Sequence, residues 1–83
     1  MQIKSLRKDL EMYLQKRGLV KKYLKQAELF EADIKYPSLN TELLEPKTLR
    51  LYSFRIDKKY RAIFVLSGEG EVEVVDINDH YQQ

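Results

Sequence analysis

Arg55 and Arg61 stand in the two arms of one alternating segment, residues 51–66, separated by Ile56-Asp57-Lys58-Lys59-Tyr60. Tyr52, Phe54 and Ile56 alternate with Leu51, Ser53 and Arg55, and Tyr60, Ala62, Phe64 and Leu66 alternate with Arg61, Ile63 and Val65. That period of two marks a pair of half-buried strands. A slip of one residue would move every side chain to the other face, so the connection is constrained. A three-residue loop, Asp57-Lys58-Lys59, pairs Ile56 with Tyr60, Phe54 with Ala62 and Tyr52 with Phe64, and yields one clean apolar face. The same register sets Arg55 directly against Arg61, which costs a few tenths of a kcal/mol on the order of a like-charge cross-strand pair. A polyanion lying over the sheet would give the chain a reason to place them so. The plainer account is two long side chains splayed apart and screened by water and by Asp57.

Other residues with chemistry to offer are few. His80 is the single histidine, and there is no cysteine, so thiol nucleophiles, disulfides and multi-histidine metal clusters are excluded. Glu42 and Glu45 read by type as surface carboxylates. Ser67-Gly68-Glu69-Gly70 is a turn, too short and without the lysine of a phosphate loop, and has no nucleotide role.

The elements that must hold the hairpin follow from periodicity. Leu6, Leu10, Tyr13 and Leu14 line one face of a helix capped by Ser5 and stopped at Gly18, with Lys16 and Arg17 in its last turn. A second helix runs over residues 19–33 with Val20, Tyr23, Leu24, Ala27 and Phe30 as its stripe, and Tyr36-Pro37 ends it. Heptad-like spacing also permits one continuous helix through Gly18, but an interior glycine costs about 1 kcal/mol and Arg17 is a poor core residue. Two helices packed as a hairpin are preferred. In residues 37–50, Pro37, Ser38, Asn40 and Pro46 form turns, and Leu39, Leu43, Leu44 and Leu49 pin the segment to the core. A third strand covers residues 71–77, where Val75 and Ile77 break the alternation and imply a bulge. Residues 1–4 are too short to assign. The expected fold is α+β, a two-helix hairpin on a small antiparallel sheet of three to four strands.

Eighty-three residues make one small domain over residues 1–83. The net charge is +2, unevenly spread: Lys4, Arg7, Lys8, Lys16, Arg17, Lys21, Lys22, Lys25 and Lys35 outnumber Asp9, Glu11, Glu28, Glu31 and Asp33 in the N-terminal part. A basic helical region suits nucleic acid or an acidic partner, although a solvated helix face is the commoner reason for such a run. No apolar run approaches the roughly 20 residues of a membrane span, and no signal-peptide core is present. A cytoplasmic location and no membrane partner are expected.

Three ordered motifs resemble the RelE/ParE superfamily of bacterial toxins from type II toxin–antitoxin systems. They are Tyr52-Ser53-Phe54-Arg55-Ile56-Asp57 with Lys59-Tyr60-Arg61-Ala62-Ile63-Phe64, then Pro37-Ser38-Leu39-Asn40, then Asp76-Ile77-Asn78-Asp79-His80. The resemblance covers nearly the whole chain. It implies a ribosome-dependent mRNA endoribonuclease in which the RNA 2′-hydroxyl attacks the adjacent phosphate without a metal or other cofactor. That reaction needs a base, cations for the phosphorane-like charge, and an acid for the leaving 5′-oxygen. By resemblance, Arg61 is the phosphate clamp, and Arg55, Lys58 and Lys59 add to RNA binding. His80 is the acid, a role that suits histidine near neutral pH, Tyr81 orients or stacks on substrate, and Glu45, with Glu42 second, is the base.

The implied partners are a cognate antitoxin, the ribosome and mRNA in its A site. Family members usually begin with a full strand, where this chain has only residues 1–4, and Ser53 stands where some members carry lysine. Two other functions share the fold: a ParE-like inhibitor of DNA gyrase, which needs no acid–base set, and a non-catalytic member that only binds its antitoxin.

Overall fold

A computed structural model describes residues 1–79 of the chain. Strand β1 (Gln2–Ile3) is followed by helices α1 (Lys8–Lys16) and α2 (Val20–Ala32) and then by strands β2 (Glu42–Leu43), β3 (Tyr52–Arg55), β4 (Arg61–Gly68) and β5 (Glu71–Asn78). Short 3-10 turns occupy Pro37–Leu39 and Lys47–Leu49. The sheet has five strands in the order β1-β5-β4-β3-β2, with β1 parallel to β5 and all other pairs antiparallel. The α+β class holds, and the sheet is larger and mixed where three to four antiparallel strands were expected. The additions are two-residue strands at the edges, too short to show a period. Among the described residues, no helix is long and apolar enough to cross a membrane.

The N-terminal stub is kept as β1. Gln2 donates its N–H to the carbonyl of Gly70, in the turn just before β5, and Lys4 donates to that of Val72 in β5. Ile3 points its N–H the other way, where Glu31 of α2 accepts it at 2.8 Å. The open edge is thus partly blocked by a carboxylate, a common protection of exposed strands.

Gly18 separates the helices as expected. It lies at φ +66°, and the N–H groups of Gly18 and Leu19 donate to the carbonyls of Gln15 and Leu14, the paired bonds of a Schellman stop. A continuous helix is excluded. The start of α1 differs: Arg7, not Ser5, is the N-cap, without a side-chain cap bond. Residues 4–6 instead run on from β1 and carry half-buried Leu6 onto the core.

The stripe of α2 is also rotated from expectation. Leu19, Tyr23, Gln26 and Phe30 are buried, whereas Val20 and Leu24 are exposed. Spacings of four, three and four place those residues on one face as well as the apolar set does, and a polar residue at one of the buried positions hid the pattern.

The core lies between the helices and one sheet face. Phe30 packs on Phe54 and Phe64 with ring centroids 5.0 and 5.1 Å apart, and Tyr52 stacks on Phe64. Val72, Val74 and Ile77 complete it. In residues 37–50, Leu39 and Leu44 are buried, but Leu43 and Leu49 are exposed and pin nothing.

Candidate active site

The hairpin register is the one that parity demands. Tyr52 pairs with Phe64, Phe54 with Ala62 and Arg55 with Arg61, and Ile56 donates to Tyr60 across the loop. Both arginines therefore occupy the sheet face turned away from the helices. On β5 the register shifts between Ile63, opposite Asp76, and Phe64, opposite Val74. Val75 is the extra residue of this bulge. It sets Val74 and Ile77 on the core side and Asp76 and Asn78 on the arginine side.

Arg61 is buried, with only 6% of its surface exposed. Its Nε donates to Ser53 Oγ at 2.8 Å, and its Nη2 donates to the carbonyls of Asn40 and, at 3.4 Å, Ser53. Asn40 ends the Pro37–Leu39 turn in a left-handed conformation, φ 43°, which asparagine tolerates. The Pro37-Ser38-Leu39-Asn40 motif thereby supplies the carbonyl that fixes the guanidinium. Burial draws the Arg61 guanidinium below its ordinary range, Glu42 opposes that and Arg55 adds to it. The group stays cationic, because arginine is not deprotonated in proteins.

Glu42 is the carboxylate that shares this field. It pairs with Ser53 across β2 and β3, so its side chain rises from the arginine face. Its Oε2 is buried and has no hydrogen-bond partner among the described residues. A desolvated, unpartnered carboxylate oxygen is costly, and the nearby Arg61 cation offsets part of that cost. Glu45 is exposed beyond the end of β2. The geometry therefore sets Glu42, and not Glu45, beside Arg61.

Arg55 is exposed on the same face, and its backbone carbonyl is held by Gln26 Nε2 at 2.8 Å. Gln26 also donates to Ser38 O at 3.2 Å and accepts from Ser38 Oγ at 3.4 Å. One buried side chain of α2 thus ties the strand end at Arg55 to the turn that holds Arg61. Sequence reasoning missed it. The available signal was a glutamine at a core-facing helical position.

Lys58 and Lys59 are exposed on the loop. Asp57 organises that loop: its Oδ1 accepts the N–H groups of Lys59 and Tyr60, each at 2.8 Å, and its Oδ2 meets Lys22 Nζ at 3.5 Å. Burial pushes the Asp57 carboxyl up, but these donors outweigh it and hold the group below the usual range. Lys59 reaches Asp79 at 3.9 Å. Asn78 stands opposite Arg61, so the strand that leads to the C-terminal residues runs alongside that arginine. His80 and Tyr81 lie outside the described residues. No group of three or more potential metal ligands occurs among the described residues.

The set places two guanidiniums on one sheet face, with the Glu42 carboxylate in the field of Arg61, an arrangement suited to an anion. No protein-family model matches the sequence, and no curated protein does. Solved structures do match. The YoeB/ParE toxin from Agrobacterium tumefaciens superposes with a TM-score of 0.71 at 21% identity, over 98% of this chain and 100% of that one. The toxin–antitoxin complex YoeB-YefM from Staphylococcus aureus, a heterotetramer, aligns with a TM-score of 0.68 at 17% identity, over 96% of this chain and 94% of the other. The chain has the fold of the YoeB/ParE toxins, the fold that its three motifs implied.

Proposed function

We propose that this chain is the toxin of a toxin–antitoxin pair and acts as a ribosome-dependent mRNA endoribonuclease. The observation that carries the reading is the pairing of a buried, pre-oriented Arg61 with the unpartnered Oε2 of Glu42 on one sheet face. Glu42 takes the proton of the RNA 2′-hydroxyl as the oxygen attacks the adjacent phosphorus. Arg61, with Arg55 opposite, balances the charge that builds on the phosphoryl oxygens. His80 gives a proton to the departing 5′-oxygen, leaving a cyclic phosphate and a free 5′-hydroxyl, and Tyr81 orients the substrate. Lys58 and Lys59 hold the flanking backbone. Anchored donors contribute most here because they need not reorganise during reaction.

The cytoplasm is the compartment this activity requires, and an antitoxin is the partner that restrains it. A gyrase inhibitor would have no use for a desolvated carboxylate beside the clamp, which favours the nuclease. The test is in vitro translation of a defined message with purified protein, mapped by primer extension. Wild type, Arg61→Ala and His80→Ala are compared with and without ribosomes. Ribosome-dependent cuts that vanish with Arg61→Ala support the assignment. Intact message beside an active RelE-type control refutes it, and gyrase supercoiling becomes the next assay.

A further inference from the structure

We infer that the exposed stripe of α2 is a self-association seam, where two copies of this chain pack antiparallel about a two-fold axis. Val20, Leu24, Ala27 and Glu31 follow spacings of four, three and four, the repeat of a helix–helix seam. The buried face of α2 is a different one, so this stripe looks outward: Leu24 is 60% exposed and Val20 37%. Leu24 stands beside a groove of ≈ 270 Å³ walled by Leu6, Leu14, Tyr23 and Ala27. A leucine from a second helix can enter such a groove as a knob enters a hole. Glu31 Oε2 accepts the Ile3 N–H, so the apolar part of the stripe ends at Ala27.

The charges on α2 identify the occupant. The helix has no acidic residue in its first turn and no basic residue in its last. Lys21 and Lys22 stand at its positive end and Glu28 and Glu31 toward its negative end, against the macrodipole. Lys21 and Lys25, four residues apart, also repel along the helix. Lys21, Lys25 and Glu28 join no ion pair among the described residues. A second α2 lying antiparallel offsets this placement. Lys21 and Glu28 are seven residues apart, so they hold equivalent places on one flank of the stripe. Reversal of the second copy sets Lys21 against its Glu28 and Glu28 against its Lys21. The same operation lays Leu24 on the second copy's Ala27 and opposes the two macrodipoles. A wholly acidic or wholly basic partner would satisfy one end of the flank and repel the other, whereas an isologous contact satisfies both. Arg61 lies on the sheet face turned away from the helices, so pairing through α2 leaves both arginine faces uncovered, whatever reaction they carry out.

The test is sedimentation equilibrium of the full chain over a range of concentrations, with circular dichroism confirming that each variant folds. Wild type is expected to form a dimer that dissociates on dilution. Leu24→Glu buries a charge in the seam and abolishes the dimer. Lys21→Glu meets the second copy's Glu28 with a like charge, and Glu28→Lys meets its Lys21, so each weakens association by about ten-fold or more. The double variant Lys21→Glu/Glu28→Lys restores wild-type association. An equimolar mixture of the two single variants forms a heterodimer, because each chain then carries one sign along the flank. A wild type that stays monomeric at every concentration overturns the seam and leaves the stripe to a different protein. A dimer whose dissociation constant Leu24→Glu changes by less than about two-fold overturns it as well. Single charge variants that fail to associate with each other overturn the antiparallel arrangement.

Discussion

Ser53 Oγ accepts the Nε hydrogen of Arg61 at 2.8 Å across the β3–β4 pair, and both residues are buried. A position that read as a missing lysine is the acceptor that orients the Arg61 guanidinium. Ser53→Ala removes it and leaves a guanidinium hydrogen buried without a partner. The expected cost is about 1–3 kcal/mol of stability, seen as a lower urea midpoint with unchanged m-value. Message cleavage should fall further than the folded fraction does, because Arg61 is then held only by the two carbonyls at its Nη2. An unchanged midpoint would show that water or a neighbour replaces the hydroxyl at no cost.

Glu42 and Glu45 separate under the same chemistry. Glu42→Gln keeps the shape of the side chain but removes the carboxylate proposed as the proton acceptor beside Arg61. Loss of a positioned general base lowers rates by roughly 10²–10⁴-fold. Glu45→Gln, exposed past β2, should cut at the wild-type rate. Single-turnover cleavage of the mapped site compares them. Equal loss in both variants, or loss only in Glu45→Gln, would return the base to Glu45.

The contrast between those two glutamates marks where sequence reasoning stops. Alternation and parity over residues 52–66 give the hairpin register, including Arg55 opposite Arg61, because every one-residue slip mixes the faces. The break at Val75 is legible as a local departure from a period, and the stop at Gly18 from the cost of glycine inside a helix and its ease at a left-handed C-terminus. Strand β2 has only Glu42 and Leu43 and shows no period, so its pairing with Ser53, which carries Glu42 to the Arg61 side, is visible only in three dimensions. Gln26 is hidden differently. Its value lies in partners distant in sequence, Ser38 and Arg55, and the apolar neighbours Val20 and Leu24 suggest the wrong face of the helix.

Gln26 gives the third test. Gln26→Leu has similar volume but leaves the Arg55 carbonyl without its 2.8 Å donor and frees the turn that carries Asn40. Stability should fall by about 1–3 kcal/mol. Gln26→Glu should be worse at neutral pH, since a carboxylate would face two carbonyl oxygens. Both variants should lower cleavage at temperatures where they remain folded, through misplacement of both arginines. Wild-type cleavage by a folded Gln26→Leu would show that the sheet alone positions the site.

Tyr23 gives a prediction about pH. Burial pushes its phenol up to about 12, with Glu31 contributing in the same direction. The unfolded chain titrates at its ordinary value of about 10. Above that pH the unfolded state releases the proton first, so the tyrosine's contribution is complete below about pH 10 and is lost as pH rises through about 12. The whole loss is on the order of 2–3 kcal/mol. Urea midpoints measured from pH 9 upward should therefore fall steeply for wild type and less steeply for Tyr23→Phe, which keeps the ring and has no proton to lose. Tyr13 is also raised by burial, so some slope should remain. Parallel curves for the two proteins would mean that the Tyr23 phenol titrates alike in the folded and unfolded chain.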